Sequence, residues 1–325
     1  MNCILPFLIF FLQCFSIKTE AASRETTTLP RTAELVHQFP NGTWVENIAV
    51  RQNGRLLVTF VNIPELWEVD PSTTPATVQR LHQFNGTRLA LGIAEFEPDR
   101  FTVATDNQIY VVDMNLDPPA ITFLTRIQDT TLNGMTWLPP PTSRILSSDT
   151  SGGVIWAIDP HTGIFNITLW DETMFPVAGV RRSLVGINGI RYERQSGYLY
   201  YVNLSKLLFC RVRVNAATAR AAGPYEVLRE GVMADDFALA QDGRGTAYLA
   251  GLDRNVVYRA TPDGSVEVVA GSQGSAELAG ATSAAFGRTS ADSGTLYVTT
   301  GGATAAPVNG TYTEGGKIMA IRGLL

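Results

Sequence analysis

The chain has 325 residues, with 25 lysines and arginines against 30 aspartates and glutamates, which gives a formal net charge of −5. This length is sufficient for one large β-domain or two ordinary domains. No basic stripe indicates nucleic-acid binding, and no acidic tail indicates a highly charged partner, so we expect small-molecule partners and no nucleic acid.

Residues 1–22 are predicted to be a signal peptide. An almost wholly apolar run over 1–17 precedes Lys18 and the small residues Ala21, Ala22 and Ser23. The run has the length of a signal-peptide core rather than of a membrane span, although a positively charged start is missing. Cleavage near Ala22 predicts a secretory or extracellular location with no stable membrane insertion afterwards. An uncleaved anchor is the alternative.

The predicted cleavage and secretory location determine which cysteines remain and whether the sequons can be glycosylated. Three cysteines are present, and Cys3 and Cys14 lie in the predicted signal peptide. Cys210 then remains without a disulfide partner, and its apolar strand predicts an inert core thiol. Five sequons would be usable in the secretory pathway, at Asn41, Asn85, Asn166, Asn203 and Asn309.

A repeat of roughly 45 residues, the period of β-propeller blades, runs through the remaining chain. Its copies begin near Glu46, Leu91, Asn133, Asn188, Asp235 and Thr282. We therefore predict a flexible leader over 23–32 and one all-β domain, a six-bladed propeller, over 33–325. The last blade lacks an outer strand after Arg322, so we expect the strand over 33–39 to pair with it and close the ring.

Two segments interrupt the repeat. Residues 170–182, between the third and fourth blades, are predicted to contain the chain's helical segment. Residues 301–316 are inserted into the last blade. Such excursions from a compact repeat are often lids or binding loops, and the alternative is a tolerated surface loop.

A propeller places the first residue of every blade around one central channel, and four of these residues carry side-chain oxygens. Glu46, Asn133, Asn188 and Asp235 supply two carboxylates and two amides, a set that suits Ca²⁺ or Mg²⁺. The alternative is ordinary turn chemistry, because Asn-Gly is a common turn dipeptide and Asp235 precedes a second aspartate. The three histidines, His37, His82 and His161, fall outside this set, so zinc is not predicted.

Further candidates lie near the same end of the channel. Trp44, two residues before Glu46, is expected to face a pocket. Asp149 and Asn203 occupy turns that reach the same face, although aspartate and asparagine are also the default residues of turns. No phosphate loop, nucleophile elbow or paired-cysteine metal motif occurs in the sequence.

Two segments carry a family resemblance. Residues 188–192 lead to 197–202, and residues 281–286 lead to 296–299, in the manner of the SMP-30/gluconolactonase-like six-bladed propellers, which the chain resembles. The resemblance implies a divalent cation held by Glu46, Asn133, Asn188 and Asp235. Two departures stand out: Asn47 follows the glutamate where the family has glycine, and Asp236 follows the aspartate where glycine is frequent.

Residues 46–51, at the start of the first blade, and the two blades that begin with Asn-Gly are similar to the sequences of a fungal branch of these propellers. Members of this branch are hetero-Diels–Alderases that join a tropolone-derived quinone methide to a humulene-type sesquiterpene. The resemblance implies apolar polyketide- and terpene-derived substrates. It implies no cofactor that the cycloaddition requires, and Ca²⁺ or another divalent cation is an optional ligand. Trp44, Glu46 and Asp235 are then the candidate catalytic residues, and the candidate substrate-binding residues are Asn133, Asn188, Asp149 and Asn203.

Two alternatives from other functional classes remain open. The first is a metal-dependent lactonase or esterase, in which the cation polarises a carbonyl and Asp235 activates water. The second is a non-catalytic ligand-binding propeller, because the fold does not dictate the chemistry.

Overall fold

A computed structural model describes residues 30–180 and 184–324. The described chain forms six four-stranded antiparallel sheets. The innermost strand of each sheet contacts the innermost strands of the two neighbouring sheets, and these contacts complete a circle. The predicted six-bladed β-propeller is confirmed.

The strands of blades 1 to 3 follow the chain from the channel outwards. They are β2 (Val45–Val50), β3 (Leu56–Phe60), β4 (Glu65–Asp70) and β5 (Thr77–Gln83); β6 (Ile93–Glu97), β7 (Arg100–Thr105), β8 (Gln108–Asp113) and β9 (Ala120–Arg126); and β10 (Leu132–Leu138), β11 (Arg144–Asp149), β12 (Val154–Ile158) and β13 (Phe165–Trp170).

Blades 4 and 5 repeat this order, and blade 6 takes its outer strand from the N-terminal side of the domain. The strands are β14 (Ile187–Glu193), β15 (Tyr198–Asn203), β16 (Leu208–Val214) and β17 (Ala221–Glu230); β18 (Phe237–Leu239), β19 (Ala247–Ala250), β20 (Val256–Ala260) and β21 (Val266–Gly271); and β22 (Ala281–Phe286), β23 (Thr295–Thr300), β24 (Lys317–Arg322) and β1 (Ala33–Gln38).

Blade 6 is closed as the sequence predicts. β1 pairs antiparallel with β24, from Ala33 opposite Ile321 to Gln38 opposite Lys317. Phe39 then packs edge-on against Phe60 of blade 1, with ring centroids 4.9 Å apart. Closure leaves β24 paired on both sides, which removes an open sheet edge.

The hydrophobic core is divided among the interfaces between consecutive blades. Each interface has its own cluster of buried side chains, such as Leu57, Leu66 and Phe101 between blades 1 and 2. Inner strands are buried on both faces, whereas outer strands such as β5 and β9 contain only half-buried and exposed residues. The core therefore fixes the distance between neighbouring inner strands, and so the width of the channel.

Two expectations about the chain outside the blades have different outcomes. The predicted helical segment over 170–182 is wrong for the described residues, which contain one 3₁₀ turn (Glu172–Met174) capped by Asp171. The predicted signal peptide and residues 23–29 of the predicted leader lie outside the described residues. Arg31, near the end of that leader, donates its amide to the Val269 carbonyl at 2.7 Å. Among the described residues, no helix has the length and apolar character needed to cross a membrane.

Candidate functional site in the central channel

The predicted ring residues occupy equivalent positions at one end of the channel, which we call the upper mouth. In blades 1, 3, 4 and 6 the inner strand carries an irregularity in register at this point, between residues 45 and 48, 132 and 135, 187 and 190, and 281 and 283. Such a bulge inserts an extra residue and re-aims its side chain. Glu46, Asn133, Asn188 and Thr282 all lie within these bulges.

Blades 2 and 5 show the same geometry in their backbone hydrogen bonds. The Leu91 amide donates to the Ala104 carbonyl at 2.8 Å, and the Ala104 amide donates to the Gly92 carbonyl at 2.9 Å. In blade 5 the Asp235 amide donates to the Ala250 carbonyl at 3.0 Å, and the Ala250 amide donates to the Asp236 carbonyl at 2.9 Å. Leu91 is therefore the equivalent of Asp235. We call the six equivalent residues the axial ring: Glu46, Leu91, Asn133, Asn188, Asp235 and Thr282.

The polar members of the axial ring are buried and partly paired with one another. The Trp44 indole N–H donates to Glu46 Oε2 at 2.7 Å, and the Asn188 Nδ2 donates to Asp235 Oδ1 at 2.6 Å. Glu46, Asn133, Asn188 and Asp235 all have relative exposures below 10%. The structure thus brings the four predicted oxygen donors to one end of the channel.

The predicted loop of residues 301–316 reaches Trp44. A Cβ built on Gly301 would lie 2.7 Å from the Trp44 ring, so glycine permits close contact between this segment and the indole. Ala303 and Val308 pack with Ala279 and anchor the insertion to blades 5 and 6. The loop therefore holds Trp44 against Glu46.

Asp149 and Asn203 have local structural contacts. Asp149 Oδ1 accepts the amides of Thr131, Ser151 and Gly152 at 3.0–3.2 Å. Asn203 Nδ2 donates to the carbonyls of Thr173 and Phe175, at 2.8 and 3.0 Å. The bonds to Ser151 and Gly152 are the turn chemistry given above as the alternative. The bonds to Thr131, Thr173 and Phe175 join these turns to separate segments of the chain.

The buried position of Asn203 also bears on its predicted glycosylation. Asn203 is 0% exposed and its Nδ2, the atom to which a glycan would be attached, donates two hydrogen bonds. A glycan at Asn203 would have to be attached to a side chain that this fold buries, and it stays a prediction. The other four sequon asparagines, Asn41, Asn85, Asn166 and Asn309, are exposed and stay predictions.

Cys210 is a free, buried cysteine packed between blades 3 and 4. Burial raises the pKa of its thiol to about 12. Neutral thiols are poor nucleophiles, so the position matches the predicted inert core thiol.

A buried polar cluster directly below the axial ring escaped the sequence analysis. Asp236 Oδ2 accepts hydrogen bonds from Asn47 Nδ2 at 2.9 Å, Arg191 Nη2 at 2.8 Å and Ser283 Oγ at 3.1 Å. We call these four residues the Asp236 cluster; they come from blades 1, 4, 5 and 6. Asp236 departs from the family pattern, and this departure was the one feature of the sequence that pointed to the cluster.

Three consecutive blades have glycine after the ring position, and the glycine of blade 4 makes room for this cluster. The residue after each ring position is Gly92, Gly134 and Gly189 in blades 2, 3 and 4. A Cβ on Gly189 would lie 2.2 Å from Asp236 Oδ1, and one on Gly134 would lie 2.4 Å from the Asn188 carbonyl oxygen. In blade 5, Asp236 stands where the family frequently has glycine, and its carboxylate packs against Gly189 of blade 4.

The end of the channel opposite the axial ring contains a cavity of about 370 Å³. All six inner strands contribute to it, and we call it the lower pocket. Its lining includes the apolar Ile48, Ile93, Met135 and Ala285, the aromatic Trp137, and Arg191. The volume falls within the usual range of small-molecule sites.

Charged groups of the lower pocket are arranged in pairs. At the rim, Arg288 forms an ion pair with Glu95 and donates to the Val50 carbonyl at 3.0 Å. At the inner end, Arg191 is 19% exposed and pairs with Asp236, which is 4% exposed. Burial and the charge of Glu193 raise the pKa of the Tyr192 phenol, so this lining residue is a neutral hydrogen-bonding group.

The histidines lie away from the channel. His37 and His82 pack edge-on against Phe39 and Phe84 on outer strands, and His161 packs against Phe96 in a turn. Among residues 30–180 and 184–324, no group of three or more His, Cys, Asp or Glu side chains is placed to hold a metal ion. A cation at the axial ring would therefore depend on the amides of Asn133 and Asn188 as well as on the two carboxylates.

Comparisons with solved structures show that the chain shares its propeller fold with two proteins of known structure. Regucalcin from Agrobacterium tumefaciens, described as a calcium-binding protein, superposes with a TM-score of 0.64 at 17% identity, over 90% of this chain and 94% of that one. A gluconolactonase from Xanthomonas campestris gives a TM-score of 0.63 at 13% identity, over 90% and 91% of the two chains.

Sequence comparison identifies the family. A putative hetero-Diels–Alderase of a Phoma species is 31% identical, in an alignment that covers 90% of this chain and 93% of the relative. A second putative hetero-Diels–Alderase, asR5 of Sarocladium schorii, is 29% identical over 87% and 81% of the two chains. No family model matches the chain. The chain belongs to the family of these hetero-Diels–Alderases.

Proposed function

We propose that the protein is a pericyclase that joins a tropolone-derived quinone methide to a humulene-type sesquiterpene by a hetero-Diels–Alder cycloaddition. The observation that carries the proposal is the 31% identity to a putative hetero-Diels–Alderase over nearly the whole of both chains. The substrates are those implied by the resemblance described above.

The chemistry of a cycloaddition suits the central channel. The reaction needs neither a nucleophile nor a redox cofactor; it needs two apolar reactants held in one orientation, which can supply several kcal/mol of the barrier. A hydrogen-bond donor near the heterodiene oxygen stabilises the electron density that accumulates there. The lower pocket offers apolar side chains, three aromatic ones (Trp137, Tyr192 and Phe286) and two guanidinium groups, those of Arg191 and Arg288.

The proposal is tested by offering the purified protein two sets of substrates and analysing the products by LC–MS. One set contains a hydroxymethyl-tropolone precursor of the quinone methide with a humulene-type alkene, and the other contains simple lactones. We expect a cycloadduct enriched in one stereoisomer relative to the reaction without protein. An adduct of the same yield and isomer ratio with and without protein would reject the proposal.

A metal-dependent lactonase is the second candidate, and the donor set of the axial ring favours it. A divalent cation held by Glu46, Asn133, Asn188 and Asp235 would polarise a lactone carbonyl. Trp44 would orient Glu46, and Asp235 would take a proton from the attacking water. This candidate predicts a product heavier by one water, formed in the lactone arm of the same experiment and lost when a chelator is added.

We also propose that the axial ring binds a divalent cation whichever reaction occurs. Carboxylate and amide oxygens are the donors that Ca²⁺ prefers. Bulges bring Glu46, Asn133 and Asn188 to the mouth of the channel where Asp235 also lies. At a Ca²⁺ concentration 100 times the dissociation constant, binding should stabilise the fold by about 2.7 kcal/mol and raise Tm by about 4 °C.

Thermal unfolding with and without Ca²⁺ tests this site. The rise in Tm should disappear in a Glu46→Gln, Asp235→Asn double variant, which keeps the shape of both side chains but removes their charge. Glu267→Gln, in an exposed ion pair with Arg259, is the matched control and should retain the full rise. An equal response of the wild type and the double variant would place any bound Ca²⁺ elsewhere.

A further inference from the structure

We infer that the lower pocket binds the oxygen-bearing heterodiene and that the Arg191 guanidinium donates a hydrogen bond to its reacting carbonyl oxygen. The inference rests on the proposed cycloaddition and gives it a place in the channel, at the mouth opposite the axial ring. Three observations support it: the way Arg191 is held, the donors it retains, and the contrast with the axial ring.

Arg191 is fixed before any ligand arrives. Its Nη2 donates to Asp236 at 2.8 Å and its Nη1 donates to the Ile190 carbonyl at 2.8 Å. Its guanidinium carbon lies 5.7 Å from the centre of the Phe237 ring. A donor held in this way needs little reorganisation during the reaction, which is the condition under which electrostatic stabilisation is most effective.

Arg191 also retains hydrogen-bonding capacity towards the cavity. A guanidinium has five N–H groups, and the bonds to Asp236, Ile190 and Met135 use three of them. Two N–H groups remain beyond these described bonds, on a side chain that lines the pocket and is 19% exposed. Hydrogen bonds from a charged donor are roughly twice as strong as neutral ones.

The axial ring differs from the lower pocket in its hydrogen-bonding groups. Glu46 and Asp235 are carboxylates, which accept hydrogen bonds and suit a cation rather than a carbonyl oxygen. The N–H groups of Trp44 and Asn188 donate to those same carboxylates. The lower pocket instead combines a positively charged donor with the apolar surfaces of Ile48, Ile93 and Met135 against which a hydrocarbon partner can pack.

The reaction at this position conserves all atoms and electrons. The two alkene carbons bond to the exocyclic methylene carbon and to the carbonyl oxygen of the quinone methide. The C=O, exocyclic C=C and alkene π bonds are consumed, and one new ring C=C bond restores the conjugated seven-membered ring. No proton is transferred and no group leaves, so Arg191 acts only by binding and polarising the oxygen.

Two variants and one probe test the inference. Arg191→Lys keeps the positive charge that Asp236 requires but removes the planar fork, and Ala285→Phe places a ring in the cavity from a partly exposed lining position. Ala221→Phe, on the exposed outer strand β17, is the matched control. Binding of tropolone is measured by calorimetry with EDTA present, which prevents tropolone from binding through a metal, and cycloadduct formation is followed by LC–MS.

We expect the wild type and Ala221→Phe to bind tropolone equally, and Ala285→Phe to weaken binding at least about tenfold. Arg191→Lys should slow adduct formation about 100-fold, the usual effect of removing one oxyanion donor. Adduct formation at the wild-type rate in both variants would overturn the inference, as would a wild type that does not bind tropolone. Binding that is sensitive to Ala285→Phe without any adduct would support the pocket and reject the cycloaddition.

Discussion

Replacing Asp236 with alanine is expected to lower the free energy of unfolding by about 3–5 kcal/mol, the usual cost of removing one partner from a buried ion pair. Asp236 lies at the centre of the channel and is 4% exposed. Its carboxylate accepts hydrogen bonds from Asn47, Arg191 and Ser283, and from the Phe237 amide at 2.8 Å. The substitution would leave the Arg191 charge in the channel without its described counter-ion.

The loss should be large because the Asp236 cluster joins strands that are distant in sequence. Asn47 belongs to blade 1, Arg191 to blade 4 and Ser283 to blade 6, so a single carboxylate links three inner strands across the axis. Asp236→Asn, which keeps the shape and some of the hydrogen bonds, should cost less than Asp236→Ala. Urea unfolding of each variant, with equal m-values, measures the difference.

The control for this prediction is an ion pair on the surface. Glu267 pairs with Arg259 at 3.2 Å, and both side chains are well exposed. Glu267→Ala should therefore change the free energy of unfolding by less than about 1 kcal/mol. If Asp236→Ala and Glu267→Ala had equal effects, the Asp236 cluster would have no special part in holding the inner strands together.

The sequence predicted the axial ring because the first residue of each blade can be found from the repeat alone. It did not predict the Asp236 cluster, because neighbouring residues of a regular strand point to opposite faces. A bulge breaks this alternation, so that both Glu46 and Asn47 are turned inwards and buried. Bulges depend on the pairing of two strands, and pairing is not visible in a single stretch of sequence.

The role of Arg191 could not be predicted from the sequence either, because its counter-ion is distant along the chain. In the sequence it is one residue of the segment 188–192 that carries the family resemblance. Its importance comes from Asp236, 45 residues away, and from the cavity assembled by all six blades. By contrast, Asp149 accepts the Ser151 amide and Asn203 accepts the Lys206 amide within their own turns, as the simple turn interpretation predicts. Their bonds to Thr131 and Thr173 join separate segments and are not part of that interpretation.

Removing β1 is the second change for which a large effect is expected. A chain that starts at Phe39 loses five aligned residue pairs between β1 and β24. At about 1 kcal/mol for each backbone hydrogen bond, the loss is about 5 kcal/mol, comparable to the total stability of many domains. Thermal unfolding should show a much lower Tm than that of the full chain or of a chain that starts at Pro30.

The same deletion should also change how the protein associates. Without β1, the strand β24 (Lys317–Arg322) becomes an open edge that exposes Met319, which is 4% exposed in the closed propeller. Unpaired edges recruit other strands, so light scattering should detect aggregation of the shortened chain. A peptide of residues 30–38, added in excess, should restore both Tm and solubility by binding the folded state. A shortened chain that melts like the full one would mean that the propeller is held closed by the packing of Phe39 and the blade interfaces rather than by the paired strand.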